Sequence, residues 1–154
     1  MSVGAAFWAD RSVISRLGEA VDLALQFPAD AVGVVVDTYN VWWDAQLSAD
    51  IARAGQRIAG YQMGDWVLPL PADTLLGRGH LGDGVIDFGP ISASVLAAGY
   101  DGHVEVEIFN AAVWDAPADQ TAKTVVDRFA ALAWGGGLPQ PPGGPLTSSR
   151  GLIT

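Results

Sequence analysis

Three short apolar runs, separated by segments of helical period, constrain this chain more than any other feature. They are "AVGVVV" at 31–36, "RIAGYQM" at 57–63 and "HVEVEIFN" at 103–110. The first has no polar alternation, the pattern of a strand buried on both faces. Helical spacing fills the intervals. From Asp10 to Gln26, the residues Val13, Ile14, Leu17, Val21, Leu23 and Leu25 predict a helix with Asp10 as N-cap and Pro28 as its stop. Further helices are expected over Leu47 to Ala54, closed by Gly55, over Phe88 to Ala98, and over Pro117 to Trp134. Residues 64–86, rich in Gly, Pro and Asp, read as a long loop of the kind that is usually functional. Segment 135–154, "GGGLPQPPGGPLTSSRGLIT", reads as a disordered Gly/Pro-rich tail, which leaves 1–134 as one domain.

Strands alternating with helices call for parallel pairing through right-handed crossovers. An open doubly wound sheet and a (β/α) barrel both build that order. No G-x-G-x-x-G turn directly follows a strand, which argues against the dinucleotide-binding form of the first. Polar residues instead fall at the C-terminal ends of the strands, where barrels carry their chemistry. The expected fold is α/β: a partial (β/α) barrel of about three parallel strands with flanking helices.

Composition then removes whole classes of partner. With 17 acidic and 8 basic residues the formal charge is −9, so phosphate backbones and anionic lipid surfaces are repelled. The absence of cysteine excludes disulfides and thiolate metal sites and suits a reducing compartment. The start "MSVGAAFWADRS" lacks the form of a signal peptide, and no apolar stretch reaches the roughly 18 residues of a membrane span. The expectation is a cytoplasmic protein without nucleic-acid or membrane partners.

The strands end on Asp37, Gln62 and Glu107. Strand ends of a parallel barrel face a common centre, so these oxygens can converge despite their distance in sequence. Oxygen donors of this kind suit a hard divalent cation such as Mg²⁺ or Mn²⁺. Trp42, Trp43, Trp66 and Trp114 would lie on loops past the strand ends, as an apolar wall for the face of a sugar or polyol. Glu105 and Glu107 share one face of their strand, and Glu107 is preferred as the one nearer the C-terminal end. Asp65 is expected to cap the loop or to touch substrate. His80 reads as a solvated loop residue, His103 as structural at the start of its strand, and "GDG" at 82–84 as a turn.

The motifs "GVVVDTYNVWWD", "YQMGDW", "GRGHLGDGVIDF" and "AAGYDGHVEVEIFN" resemble the C-terminal part of sugar phosphate isomerases and epimerases of the xylose isomerase-like barrel superfamily. The resemblance runs over about residues 8 to 115, in the family's order and spacing. It implies a divalent-metal site of glutamate, aspartate, histidine and a second glutamate, each from a strand end. The metal polarises a substrate carbonyl while the two glutamates move protons on and off carbon. Asp37 matches the family aspartate, Glu107 the second glutamate and catalytic base, and Arg78 a loop arginine that contacts substrate or orients the glutamate. Gln62 stands at the histidine ligand position, and Asn40 where a substrate-binding histidine is usual. Trp43 and Trp66 complete the implied substrate wall. None of the nine residues before the first expected helix is acidic, so the first glutamate has no counterpart and the chain matches the last three of eight strands.

The resemblance thus implies a divalent-metal-dependent sugar (phosphate) isomerase or epimerase acting on a small polyhydroxy ketone or aldehyde. Its completion would come from a homo-oligomer or a separate N-terminal half-barrel chain. The alternatives are an inactive remnant with residual metal or sugar binding, and a dehydratase-type lyase acting on a keto-inositol. An apurinic endonuclease of the same superfamily needs a histidine-rich zinc site and a basic groove; two histidines and a charge of −9 argue against it.

Overall fold

The computed structural model describes residues 14–134. Its elements run α1 (Leu17–Ala24), β1 (Val34–Asp37), α2 (Thr38–Val41), α3 (Leu47–Ala54), β2 (Ile58–Met63), β3 (Asp65–Trp66), β4 (Arg78–Gly79), α4 (Phe88–Ala97), β5 (Val104–Val106), α5 (Ala111–Trp114) and α6 (Ala118–Trp134). Strands β1, β2 and β5 form a parallel sheet in that order, as consecutive staves of a barrel do. Among the described residues the sheet does not close.

The pleat divides the strand residues between two faces. Val34, Val36, Ile58, Tyr61 and Met63 are buried in a core with Leu17 and Val21 of α1, Ile51 of α3, and Ile91 and Val95 of α4. Helix α1 packs on α3, and α3 on α4. Val35 is only half-buried, so the expectation of a first strand buried on both faces is corrected: only Val34 and Val36, turned to the helices, are fully covered. The opposite face carries Asp37, Gln62 and Glu105 side by side, because Asp37 pairs with Gln62 and Gln62 with Glu105 in the strand register.

Several boundaries differ from the sequence reading. Helix α1 begins at Leu17 rather than Asp10, because Ile14 has a positive φ of 56° and the Glu19 carboxylate accepts the Ser15 and Arg16 N–H groups at 2.6 and 3.2 Å. Its buried stripe is Leu17, Ala20, Val21 and Ala24, whereas Leu23 and Leu25 are exposed. Asp10, Val13 and the segment 135–154 lie outside the described residues. Helix α3 ends at Ala54 and is closed by Gly55 as expected, in a positive-φ conformation (φ 52°, ψ −130°) that suits glycine. Strand β5 is shorter than 103–110, and Glu107 falls just past it, although its N–H still donates to the Met63 carbonyl at 2.9 Å.

The expected loop 64–86 is an ordered excursion containing the antiparallel ribbon β3–β4 and a 3₁₀ turn over Thr74–Gly77. Residues 77–82 do spell G-x-G-x-x-G, but they lie inside this excursion and open no helix. Asp65, fully buried, holds it together. Its Oδ1 accepts the N–H groups of Trp66 and Ile86 at 2.8 and 3.1 Å, and its Oδ2 those of Gly82 and Gly84, both at 2.8 Å. Of the two readings of Asp65, the loop cap is the one the geometry carries. Gly82 has the positive φ, 89°, anticipated for the turn, while Gly84 is small because the Trp66 carbonyl and the Asp65 carboxylate crowd its α-carbon. Arg128 of α6 reaches Asp83 at 2.7 Å and ties the last helix to the same segment.

Candidate active site

Asp37 closes β1 and opens α2 at once. Its Oδ1 accepts the Tyr39 N–H at 3.1 Å, and its Oδ2 accepts from the Asn40 side-chain amide at 2.6 Å. Thr38 joins the neighbouring strand end, with its hydroxyl bonded to both the N–H and the carbonyl of Gly64 at 3.0 Å. Gly64 is needed there: a Cβ would stand 2.6 Å from the Glu107 carbonyl oxygen.

Arg78, on β4, brings a guanidinium into this corner. Nη1 donates to Asp37 Oδ1 at 3.0 Å and Nη2 to Oδ2 at 2.8 Å, a bidentate pair in which Arg78 is 2% exposed and Asp37 6%. The same Nη2 lies 3.3 Å from Glu107 Oε2. The guanidinium carbon sits 4.5 Å from the Tyr39 ring centre and 5.4 Å from that of Phe109. Asn110 caps α5 through the Ala112 N–H and turns its amide to the Arg78 carbonyl at 2.8 Å. One cation is therefore enclosed by two carboxylates and two aromatic faces.

Glu107 is the carboxylate of the pair that retains access to solvent, with a side chain 33% exposed. Burial raises its pKa above the ordinary 4.5; the Arg78 charge opposes the rise, and the Asp37 and Glu105 charges add to it. A carboxyl that holds its proton more tightly when folded contributes stability that is fully present below about 4.5 and is lost as pH rises through the folded value. Glu107→Gln, which cannot ionise, should therefore gain relative to the parent as pH rises. Urea midpoints of both proteins at pH 4 and pH 7 check this; an unchanged difference would contradict it.

The other expected residues are distributed unevenly. The Gln62 amide nitrogen donates to Glu105 Oε2 at 3.1 Å, and Gln62 is paired with Asp37 in the strand register. Trp66 stacks on Tyr39 at 4.7 Å and Trp42 approaches Trp66 at 5.8 Å, so these two form an aromatic wall. Trp43 stands outside it, 38% exposed. Trp114 packs edge-on against Phe109 and is 57% exposed. His80 departs from its reading as a solvated residue: it is half-buried, and its Nδ1 is buried without a protein partner. His103 is exposed at the start of its strand and offers its carbonyl to the Tyr100 hydroxyl. Among the described residues, no three of His, Cys, Asp and Glu form a ready metal cluster.

A family model described as xylose isomerase-like TIM barrel matches residues 7–132. The chain belongs to the xylose isomerase-like TIM barrel family. The resemblance read from the motifs is thereby borne out. Protein SMc04130 from Sinorhizobium meliloti 1021 is 41% identical with a TM-score of 0.74, over 84% of this chain and 47% of that one. The IOLI protein solved with a bound zinc atom is 21% identical with a TM-score of 0.68, over 77% and 44% of the two chains. A D-psicose 3-epimerase solved with D-fructose is 16% identical with a TM-score of 0.64, over 89% and 48%. The last two likenesses show the fold alone. No curated protein matches the chain. The chain spans about half the length of these xylose isomerase-like structures.

Three residues of this xylose isomerase-like site escaped the sequence reading: Tyr39, Phe109 and Asn110. Tyr39 and Phe109 look like core aromatics in sequence, and only their approach to Arg78 makes them part of the site. Asn110 had a signal, since an asparagine before "AAVW" is a good helix N-cap.

Proposed function

We propose that this chain carries the C-terminal half-site of a divalent-metal-dependent sugar (phosphate) isomerase or epimerase. The substrate class is a small polyhydroxy ketone or aldehyde, and the reaction is proton transfer at the carbon next to the carbonyl. One observation carries the reading: a single cationic atom, Arg78 Nη2, contacts oxygens of both strand-end carboxylates, Asp37 at 2.8 Å and Glu107 at 3.3 Å. The guanidinium is a stand-in that marks where positive charge is accommodated, and the donors are all oxygens, which fits Mn²⁺ or Mg²⁺. Asp37 and Glu107 would hold the ion, with the Gln62 side-chain carbonyl oxygen as a neutral third donor. When bound, the ion supplies polarisation of the substrate carbonyl.

The chain's own residues supply the rest. Glu107, its pKa raised and its side chain partly open to solvent, takes the proton from carbon and returns it. Asn40, whose amide donates to Asp37 Oδ2 at 2.6 Å, orients that carboxylate. Trp66, braced by Tyr39 and Trp42, presents an aromatic surface to the apolar face of a sugar. Among the described residues β1 and β5 each pair on one side only. Strands from further sequence, from a second copy or from a separate half-barrel chain would close the barrel.

Deuterium incorporation from D₂O into a panel of ketoses and aldoses, with Mn²⁺ present, tests the reading. The parent is expected to label the carbon next to the carbonyl, and Glu107→Gln to lose about 10²–10⁴-fold of that rate. A keto-inositol in the panel exposes the lyase alternative, by loss of water instead of exchange. Equal rates in parent and variant would refute the proton-transfer role. No exchange above the protein-free rate in either would favour a second reading, an inactive relative that binds metal or sugar weakly, which the four internal donors on Asp37 support.

A further inference from the structure

We infer that Arg78 is an internal rival of the divalent cation: the Arg78–Asp37 pair and metal coordination by Asp37 are mutually exclusive, so the ion enters only when the guanidinium leaves. The inference rests on the metal-site reading above and goes beyond it by assigning what controls the site. Asp37 accepts four hydrogen bonds, two on each oxygen. Two of them come from Arg78, which belongs to a different element, a two-residue strand in the 64–86 excursion. Of the other two donors, the Tyr39 N–H is fixed in the helix that Asp37 caps, and rotation of the Asn40 amide would free a site on Oδ2 only with Arg78 Nη2 still 2.8 Å from that oxygen and 3.3 Å from Glu107.

Arg78 is therefore the partner that has to withdraw. Nη2 also reaches Glu107, so the guanidinium covers the approach to both carboxylates at once. Its own satisfaction is incomplete, because Nε is buried with no acceptor although the residue is 2% exposed. A buried donor without a partner carries a desolvation penalty. Leaving the pair thus gives up two bonds to Asp37 but also relieves an unmet N–H.

Mn²⁺ titration of the 154-residue chain tests the inference, read by calorimetry and by the electron paramagnetic resonance of free Mn²⁺. The proteins compared are the parent, Arg78→Met, Arg78→Lys and Asp37→Asn. The parent is expected to bind weakly, and Arg78→Met about tenfold or more tightly, since desolvated charge pairs of this kind couple by at least that factor. Arg78→Lys, a point charge without the fork, should fall between them and serves where Arg78→Met fails to fold without metal. Asp37→Asn should abolish the gain. Should Arg78→Met and Arg78→Lys bind no more tightly than the parent while Asp37→Asn loses binding, the rivalry is overturned and the metal site stands. Should none of the four bind Mn²⁺, the metal reading itself fails and the rivalry with it.

Discussion

Asp65→Ala is expected to destabilise the protein strongly, by about 3–5 kcal/mol at neutral pH. The carboxylate is fully buried and accepts four backbone N–H groups, from Trp66, Gly82, Gly84 and Ile86. Each buried donor left unmatched costs about 1–3 kcal/mol. The losses overlap, because the segment can loosen as a unit, so a total of about 3–5 kcal/mol is expected. That is a large share of the about 5–15 kcal/mol that stabilises an ordinary domain. Asp65→Asn should recover little. One oxygen becomes an NH₂ group pointed at two N–H donors, so two bonds turn into clashes of like polarity. Asp73→Ala is the comparison, since Asp73 caps a single exposed N–H, that of Leu75, and should cost about 1 kcal/mol. Urea denaturation followed by circular dichroism ranks the three; equal midpoints for Asp65→Ala and Asp73→Ala would contradict the account.

The second large effect concerns the buried ion pair. Asp37→Leu should destabilise by about 3–5 kcal/mol, because it strands the Arg78 guanidinium, 2% exposed, without its bidentate partner. Arg78→Met should cost a similar amount for the converse reason. The double variant Asp37→Leu with Arg78→Met should cost far less than the sum, since a charge pair replaced by apolar groups of similar size is often close to neutral. The double-mutant cycle measures this directly as a coupling energy. Additivity within about 0.5 kcal/mol would mean that the pair is not the unit the geometry describes.

What the sequence disclosed follows from where its signals are local. The three strands, α3 and α4 were legible because β-branched runs and a Leu47–Ile51–Ala54 spacing are local patterns that tertiary packing reinforces. The strand-end positions of Asp37 and Gln62 followed from those strands. The start of α1 was misread because Ile14 extended the apolar spacing upstream of a positive φ that spacing does not reveal, and its face because Leu23 and Leu25 outweighed Ala20 and Ala24, which form the true stripe. The ribbon β3–β4 was invisible because two-residue strands have no periodicity to read. The Arg78–Asp37 pair joins residues 41 positions apart through that ribbon, and no local pattern encodes it. The resemblance supplied both residues and the family, but not their bond to each other.

The ribbon also changes what kind of property the site's charge is. Its two carboxylates stand at the strand ends, but the only cation that contacts them among the described residues arrives on the β3–β4 excursion, opposite Trp66 in the ribbon register, in a segment anchored by Asp65. The balance of charge at the strand ends is thus a consequence of how one excursion docks, not a fixed attribute of the residues present. A substitution of an uncharged residue there that loosens that docking, at Gly84 for example, alters no ionisable group. It would nonetheless act on Asp37 and Glu107 as the deletion of a positive charge would.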